Sequence, residues 1–394
     1  MNIDWNEIRE TEYSTLQKNK FIYFLNAGSS LMNQSAYNEG IKYFKNMKKY
    51  GDINYEIFFE KLEEIRIILS EYINAKTKEI AFMINTSSGL LISAYILNDQ
   101  RGKILYPSLE FPTSIHIFKR LGYDCIKIDD LNGTYPISLF RDQLDDKTKY
   151  IIHSHVQSFN GFRQDLTKLG DFCHQNALIN IINATQSIGA FNIDVKRDKI
   201  NILAANALKW FGSGYGIGIL YISDEIINKN QIPISGWLSV ENPFEMDNEN
   251  IEPIKETRSM DSFGGCPNFA SLLSLGGSLD LIKNRIGSGD IKQGISRIQK
   301  RIVDLTSFLL EQLQEFNFKI LTPTKRIYRS GIITIENKNA KQIHNYLKKN
   351  KIFSTLKKYP NSKNETLIRF AINYYNNYKD IEVAIKTLKN CRFL

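Results

Sequence analysis

Ala205-Asn206-Ala207-Leu208-Lys209-Trp210-Phe211-Gly212-Ser213-Gly214-Tyr215-Gly216-Ile217-Gly218-Ile219-Leu220-Tyr221 carries one lysine between two apolar segments. Residues 202–205 read as a buried strand and 217–222 as the next, with a glycine-rich turn between them. Lys209 therefore stands at the exit of a strand, where its neighbours are apolar. Burial disfavours the ammonium form and lowers the lysine pKa, which makes the free amine available to attack a carbonyl near neutral pH. A second polar segment, Asn183-Ala184-Thr185-Gln186-Ser187-Ile188-Gly189, begins twenty-six residues before Lys209 and ends another apolar run.

Outward from this stretch, helical and extended patterns alternate over residues 57–222, the signature of a mostly parallel sheet covered by helices. Phe58, Leu62, Ile65, Leu69 and Tyr72 recur at helical spacing. Seven strands are expected, at 80–84, 103–106, 124–128, 150–153, 178–182, 202–205 and 217–222. After residue 280 the pattern changes to a long amphipathic helix with Ile298, Ile302, Leu305, Leu309 and Leu313 on one face. A strand at 331–335, a helix at 340–349, an extended segment at 367–372 and a last helix capped by Asp380 complete the chain. The division expected is a large α/β unit with its N-terminal segment over 1–280 and a small α+β unit over 281–394.

At 394 residues the chain exceeds the usual size of a single core. With 42% hydrophobic and 24% charged residues it falls among soluble globular proteins rather than disordered ones. Apolar runs are far short of a bilayer span, and Met1 to Asn6 lacks a basic segment followed by an apolar core, so the expectation is a cytoplasmic protein without membrane partners. The formal charge of +9 is spread along the chain, and its densest runs, at 45–49 and 348–351, lie in no nucleic-acid motif. They read as solvated helix faces, and nucleic acid is not an expected partner. Cys125, Cys173, Cys266 and Cys391 lack the paired spacing of a zinc site or a redox disulfide, and no metal is expected.

In open α/β sheets, ligands collect where strand carboxyl ends meet helix N-termini. Asn85-Thr86-Ser87-Ser88-Gly89 follows one strand and opens a helix, so its amides and hydroxyls suit either a phosphate or a simple cap by Thr86 or Ser87. To these are added Leu109-Glu110-Phe111-Pro112-Thr113, the segment from His155 to Leu166 that contains Ser158, Gly265-Cys266-Pro267-Asn268, and Arg369-Phe370-Ala371-Ile372-Asn373. In this order the segments resemble the class V aminotransferases, a family of fold-type I pyridoxal-phosphate enzymes related to cysteine desulfurases, kynureninases and epimerase-like enzymes. The resemblance spans nearly the whole chain. It implies a large, mostly parallel seven-stranded sheet domain, a small C-terminal α+β domain, pyridoxal 5'-phosphate as cofactor, a homodimer and a small amino-acid substrate.

The resemblance places the covalent link to the cofactor, and the proton shuttle, on Lys209. It assigns phosphate contacts to Thr86, Ser87 and Asn206, stacking on the ring to Phe111, the phenolic oxygen to Gln186 and a further cofactor contact to Ser158. Cys266 aligns where the family reaches the cofactor phosphate of the partner subunit. Arg369 matches the arginine that clamps the substrate carboxylate through two parallel hydrogen bonds. The bland alternatives are a core aromatic for Phe111, a buried structural amide for Gln186 and a surface arginine for Arg369.

Two positions depart from the family. Phe111 stands where many relatives have a histidine, and phenylalanine cannot transfer a proton. Asn183 stands where the family has an aspartate against the pyridine nitrogen; the lost ion pair is typically worth about 1–3 pKa units. A neutral amide weakens the electron sink, which favours β-elimination, including C–S cleavage, and epimerisation relative to transamination. Aminotransferase remains the best single label, with those two reactions and a non-catalytic binding protein as alternatives. The cysteine that desulfurases carry shortly before the carboxylate arginine is absent from residues 351–368.

Overall fold

The computed structural model describes residues 3–394. In chain order the strands are β1 (Ile22–Tyr23), β2 (Ile80–Met83), β3 (Lys103–Pro107), β4 (Asp124–Ile128), β5 (Thr148–Ser154), β6 (Ile179–Asn183), β7 (Ile202–Asn206), β8 (Gly218–Ile222), β9 (Lys319–Ile320), β10 (Ile332–Glu336), β11 (Ile352–Phe353), β12 (Thr355–Lys357) and β13 (Leu367–Ala371). Seven form one sheet in the order β2-β8-β7-β6-β5-β3-β4. Within it β8 pairs antiparallel with both β2 and β7, and the other pairs are parallel. All seven expected strands are present. Their runs are fully buried in the sheet centre, as for β7 and β8, because helices cover both faces and leave no polar side to alternate with.

Three left-handed glycines, Gly212, Gly214 and Gly216, turn the chain after Lys209 so that β8 returns antiparallel beside β7. Gly218 opens β8 directly against the exit of β2, where a Cβ would lie 2.7 Å from the Asn85 carbonyl carbon. Any larger residue there displaces Asn85 and the helix start it caps.

The second sheet is antiparallel, in the order β12-β13-β10-β9. The helices Ile291–Leu313, Ala340–Lys349 and Tyr378–Lys389 form its core with it, through residues such as Leu309, Ile343 and Ile385. The chain start attaches here as well. β1 pairs in parallel with β11, Arg9 forms a buried ion pair with Asp380 at 2.8 Å, and the hydroxyls of Tyr13 and Tyr374 meet at 2.7 Å.

Asp380 is not the cap of the last helix. Asn377 caps it, its side chain accepting from the Asp380 N–H at 2.9 Å, while Asp380 sits in the first turn and binds back to the Asn377 N–H. Asparagine caps as well as aspartate does, and the Arg9 partner draws Asp380 inward. Asn377→Ala is therefore expected to cost about 1 kcal/mol in urea unfolding. An unchanged midpoint contradicts the assignment.

The two sheets meet at a turn of the large unit, residues 158–161, whose carbonyls each accept a side chain from the small one. Arg369 Nη1 binds Ser158 O at 2.8 Å, Thr334 Oγ1 binds Phe159 O at 2.7 Å, Thr322 Oγ1 binds Asn160 O at 2.7 Å and Ser330 Oγ binds Gly161 O at 2.8 Å. This seam fixes where β12 and β13 present their side chains to the edge of the large sheet.

Candidate active site

β2, β3, β5, β6 and β7 end at the same edge of the large sheet, and their exits supply Asn85, Phe111, Ser158, Asn183 and Asn206. With Lys209 from the turn before β8, these residues line one cavity. Thr86, Ser87 and Gln186 also line it, Arg369 stands next to it through its bond to Ser158 rather than in its lining, and Cys266, expected at the partner subunit's cofactor, is exposed on the surface. Trp237 is also outside this lining. It is 41% exposed and packs edge-on against Phe244 at 5.6 Å.

One end of the cavity is the first turn of the helix Thr86–Ile96. Asn85 caps this helix by accepting from the Ser88 N–H at 3.0 Å, and its own N–H binds Ser88 Oγ. The capping role therefore falls on Asn85 rather than Thr86 or Ser87. The amides of Thr86 and Ser87, at the positive end of the helix dipole, have no intrahelical acceptor. Their hydroxyls pair sideways, Thr86 with Thr185 at 2.6 Å and Ser87 with Thr113 at 2.7 Å. Opposite them, the buried Asn206 Oδ1 has no hydrogen-bond partner among the described residues, so nothing in the protein fixes the orientation of that amide. This end has the donors of an anion site.

Two amides are oriented by donors that cannot reverse. The Trp210 indole N–H donates to Gln186 Oε1 at 3.1 Å, which commits Gln186 Nε2 to donating; one of its hydrogens goes to Ala27 O at 2.9 Å. Likewise the Thr185 N–H donates to Asn183 Oδ1 at 3.0 Å, and Asn183 Nδ2 donates to Ser114 Oγ at 2.9 Å. Each amide keeps one N–H without an acceptor among the described residues. Asn183 is thus not a free amide aimed only at a ligand, since half of its donor capacity is held by Ser114. Ser114 Oγ in turn donates to the Glu110 carboxylate at 3.0 Å, which also accepts from the Ser154 N–H and Gln157 Nε2. A negative charge therefore stands behind Asn183, two hydrogen bonds away.

Phe111 is 47% exposed and lies at the cavity mouth with its ring 6.0 Å from Lys209 Nζ, which excludes the core-aromatic reading. Lys209 is largely buried, and its pKa is pushed down to about 7, first by desolvation and then by the Arg369 charge. Arg369 is 7% exposed, which excludes the surface reading; desolvation pushes its pKa down to about 10, so it stays charged at neutral pH. Its Nη1 is used by Ser158, whereas its buried Nε has no partner. The Nε–Nη2 edge of the guanidinium is thus the side left for a ligand.

The sequence pattern does not single out Thr185, Ser154, the Glu110–Ser114 pair or Lys357. Lys357 is on β12, beside Arg369 on β13. Thr185 lies inside a segment already singled out, so its neighbours could have drawn attention to it. Glu110 likewise lies in a segment already singled out, four residues before Ser114, whereas Ser154 and Lys357 reach the site only through contacts between distant segments.

The family model described as "Aminotransferase class-V" matches residues 22–383. The chain is 23% identical over 346 residues to the uncharacterized aminotransferase YcbU of Bacillus subtilis (strain 168), covering 86% of this chain and 87% of that protein. Among solved structures, the apo cysteine desulfurase from Thermococcus onnurineus NA1 superposes with a TM-score of 0.86 at 21% identity, covering 100% of this chain and 99% of that one. The cystine C–S lyase C-DES, solved with its reaction product cysteine persulfide, gives a TM-score of 0.82 at 18% identity over 96% of this chain and 100% of that one.

Proposed function

The chain belongs to the class V aminotransferase family of pyridoxal-phosphate enzymes, and from that premise we propose that it acts at Cα of a small amino acid whose carboxylate binds Arg369. The observation that carries this reading is Arg369 itself, a buried cation with no carboxylate partner and an unpartnered Nε. An unpaired buried charge is costly unless a ligand completes it, and the planar fork matches a carboxylate.

The residues fit the cofactor. The Thr86–Ser87 turn and the unpartnered Asn206 amide would take its phosphate, Phe111 its ring face, Gln186 its phenolic oxygen and Asn183 its ring nitrogen. When bound, pyridoxal phosphate supplies an aldehyde that condenses with amines and a ring that draws electrons from the substrate's Cα. Lys209 would have two tasks: to hold the cofactor covalently and, as a free amine, to take and return the Cα proton. A pKa of about 7 suits a base that must be neutral to accept and charged to donate near neutral pH. Phe111 excludes water from its face of the ring and moves no proton.

The attachment step gives a pH test. Only the neutral amine attacks the aldehyde, so the rate at which apoprotein takes up the cofactor should rise with pH and level off above about 7. A rise centred near 10, as for an ordinary lysine, contradicts the desolvated environment.

Transamination is the leading reaction. The specific observation favouring a second one, β-elimination, is Asn183, whose amide offers the ring nitrogen a neutral N–H where an aspartate would hold a proton in place. Likeness in fold to C-DES supports the same alternative. Residues 351–368 before Arg369 contain no cysteine and the buried Cys391 lies outside the cavity, which does not support a persulfide on a cysteine beside the clamp. Candidate amino acids are mixed with the enzyme and keto acid is followed. Amino transfer that requires a keto-acid acceptor supports transamination, whereas stoichiometric ammonia without an acceptor overturns it in favour of elimination.

The same reading includes a homodimer. Trp237, Phe244, Met246 and Ile251 are exposed apolar side chains on one segment, the first two in contact, and they support association with a second copy; light scattering at the monomer mass would contradict it.

A further inference from the structure

Arg369 has a cationic neighbour that the clamp does not explain. β12 pairs antiparallel with β13, Thr355 opposite Arg369 and Lys357 opposite Leu367, so Lys357 and Arg369 are diagonal neighbours on one face of the small sheet. Both reach the same carbonyl: Arg369 Nη1 lies 2.8 Å and Lys357 Nζ 3.4 Å from Ser158 O, and Ser158 lines the cavity. The Lys357 ammonium also lies 5.2 Å from the centre of the Phe159 ring. Its charged neighbours are Arg369 and Lys209, and no carboxylate acts on it; desolvation, then these two cations, push its pKa down to about 7.

Two cations that converge on one carbonyl repel each other, and withdrawal from water adds to the cost. The buried Arg9 and Arg66 are each matched by a carboxylate, Asp380 and Asp261. At the cavity Arg369 and Lys357 are not. A single substrate carboxylate fills the Arg369 fork and leaves Lys357 uncompensated. A lysine makes point-charge contacts, without the fork geometry of arginine, so it accepts a carboxylate, sulfinate or sulfonate alike.

The geometry points to a substrate that is an amino acid with a second acidic group on its side chain, the α-carboxylate on Arg369 and the distal acid on Lys357. This rests on the reading of Arg369 as the carboxylate clamp. It assigns Lys357 the choice among amino acids, through the side chain, while Arg369 recognises what all of them share.

The test is calorimetric titration of the cofactor-loaded enzyme with butyrate, succinate, glutarate and 3-sulfopropanoate, none of which has an amino group to react. A diacid should bind about tenfold or more tightly than butyrate, the gain expected of one added charge-assisted contact. Lys357→Met should abolish that advantage and leave butyrate affinity within about twofold, while Lys357→Arg should retain most of it. Circular dichroism and cofactor absorption of both variants should match the parent, since no protein carboxylate loses its partner. Equal binding of butyrate and all three diacids, or a diacid advantage that survives in Lys357→Met, overturns the inference. The two readings fail differently. Butyrate affinity unaffected by Arg369→Met sinks the clamp itself, whereas butyrate that depends on Arg369 with no diacid advantage sinks only the role of Lys357.

Discussion

Lys209→Ala is expected to lower turnover by about 10³-fold or more, because it removes both the covalent anchor and the proton shuttle, and a positioned acid–base group alone is typically worth 10²–10⁴-fold. The fold should not suffer. Lys209 is held in the cavity by no carboxylate, and its charged form is opposed by burial and by Arg369. The thermal midpoint of the apoprotein should therefore be unchanged or slightly higher, and the variant should still take up the cofactor reversibly through the phosphate end and the ring contacts. Lys209→Arg separates charge from chemistry, since it keeps a cation but has no amine that condenses with an aldehyde. Equal losses in the two variants are expected in steady-state assays. Turnover of Lys209→Ala within tenfold of the parent would remove Lys209 from both roles.

Arg369→Ala is expected to reduce kcat/KM by about 10²–10³-fold, from the loss of two charge-assisted hydrogen bonds worth together about 3–4 kcal/mol. Most of the loss should fall on KM, because the carboxylate is bound before and during the reaction alike. Arg369→Lys should recover only part of it, since an ammonium keeps the charge and loses the fork. One structural consequence must be separated from this. Arg369 Nη1 is one of four donors that hold residues 158–161, so its removal loosens the seam as well as the clamp. Ser330→Ala removes another of those donors without touching the cavity lining. If it raised KM as much as Arg369→Ala does, the effect of Arg369 would be one of seam geometry rather than of carboxylate binding.

The fold was legible where burial is complete. All of β2 to β8 are located to within about two residues; β2, β5 and β8 appear as apolar runs because a strand covered on both faces admits few polar side chains, and the edge strand β4 shows instead as a short run of β-branched residues between charged ones. β1, β9, β11 and β12 are two or three residues long and show no period, so the strand that carries Lys357 is not among the expected ones. The helix cap at Asp380 was misread for a related reason: Asn377 and Asp380 have equal local preference, and Arg9, 371 residues away, favours the second for an ion pair.

In the site, residue types were legible but orientations were not. The resemblance to the class V family singles out Gln186 and Asn183. What aims them is the Trp210 indole and Ala27 carbonyl in one case, and the Thr185 amide and Ser114 hydroxyl in the other. The Glu110 carboxylate behind Ser114 joins two strand exits and shows no local pattern. Arg369 was visible as a charged residue in an apolar run, but that its Nε lacks a partner is a property of the packed site alone.

The central claim is that Lys209 carries the cofactor, and two lysines in this site, Lys209 and Lys357, have pKa values near 7 that suit attachment. Borohydride reduction of the cofactor-loaded protein, followed by peptide mass mapping, distinguishes them directly. A single phosphopyridoxyl group on Lys209 is the expected result. A group on Lys357, or none on either lysine, would contradict the account.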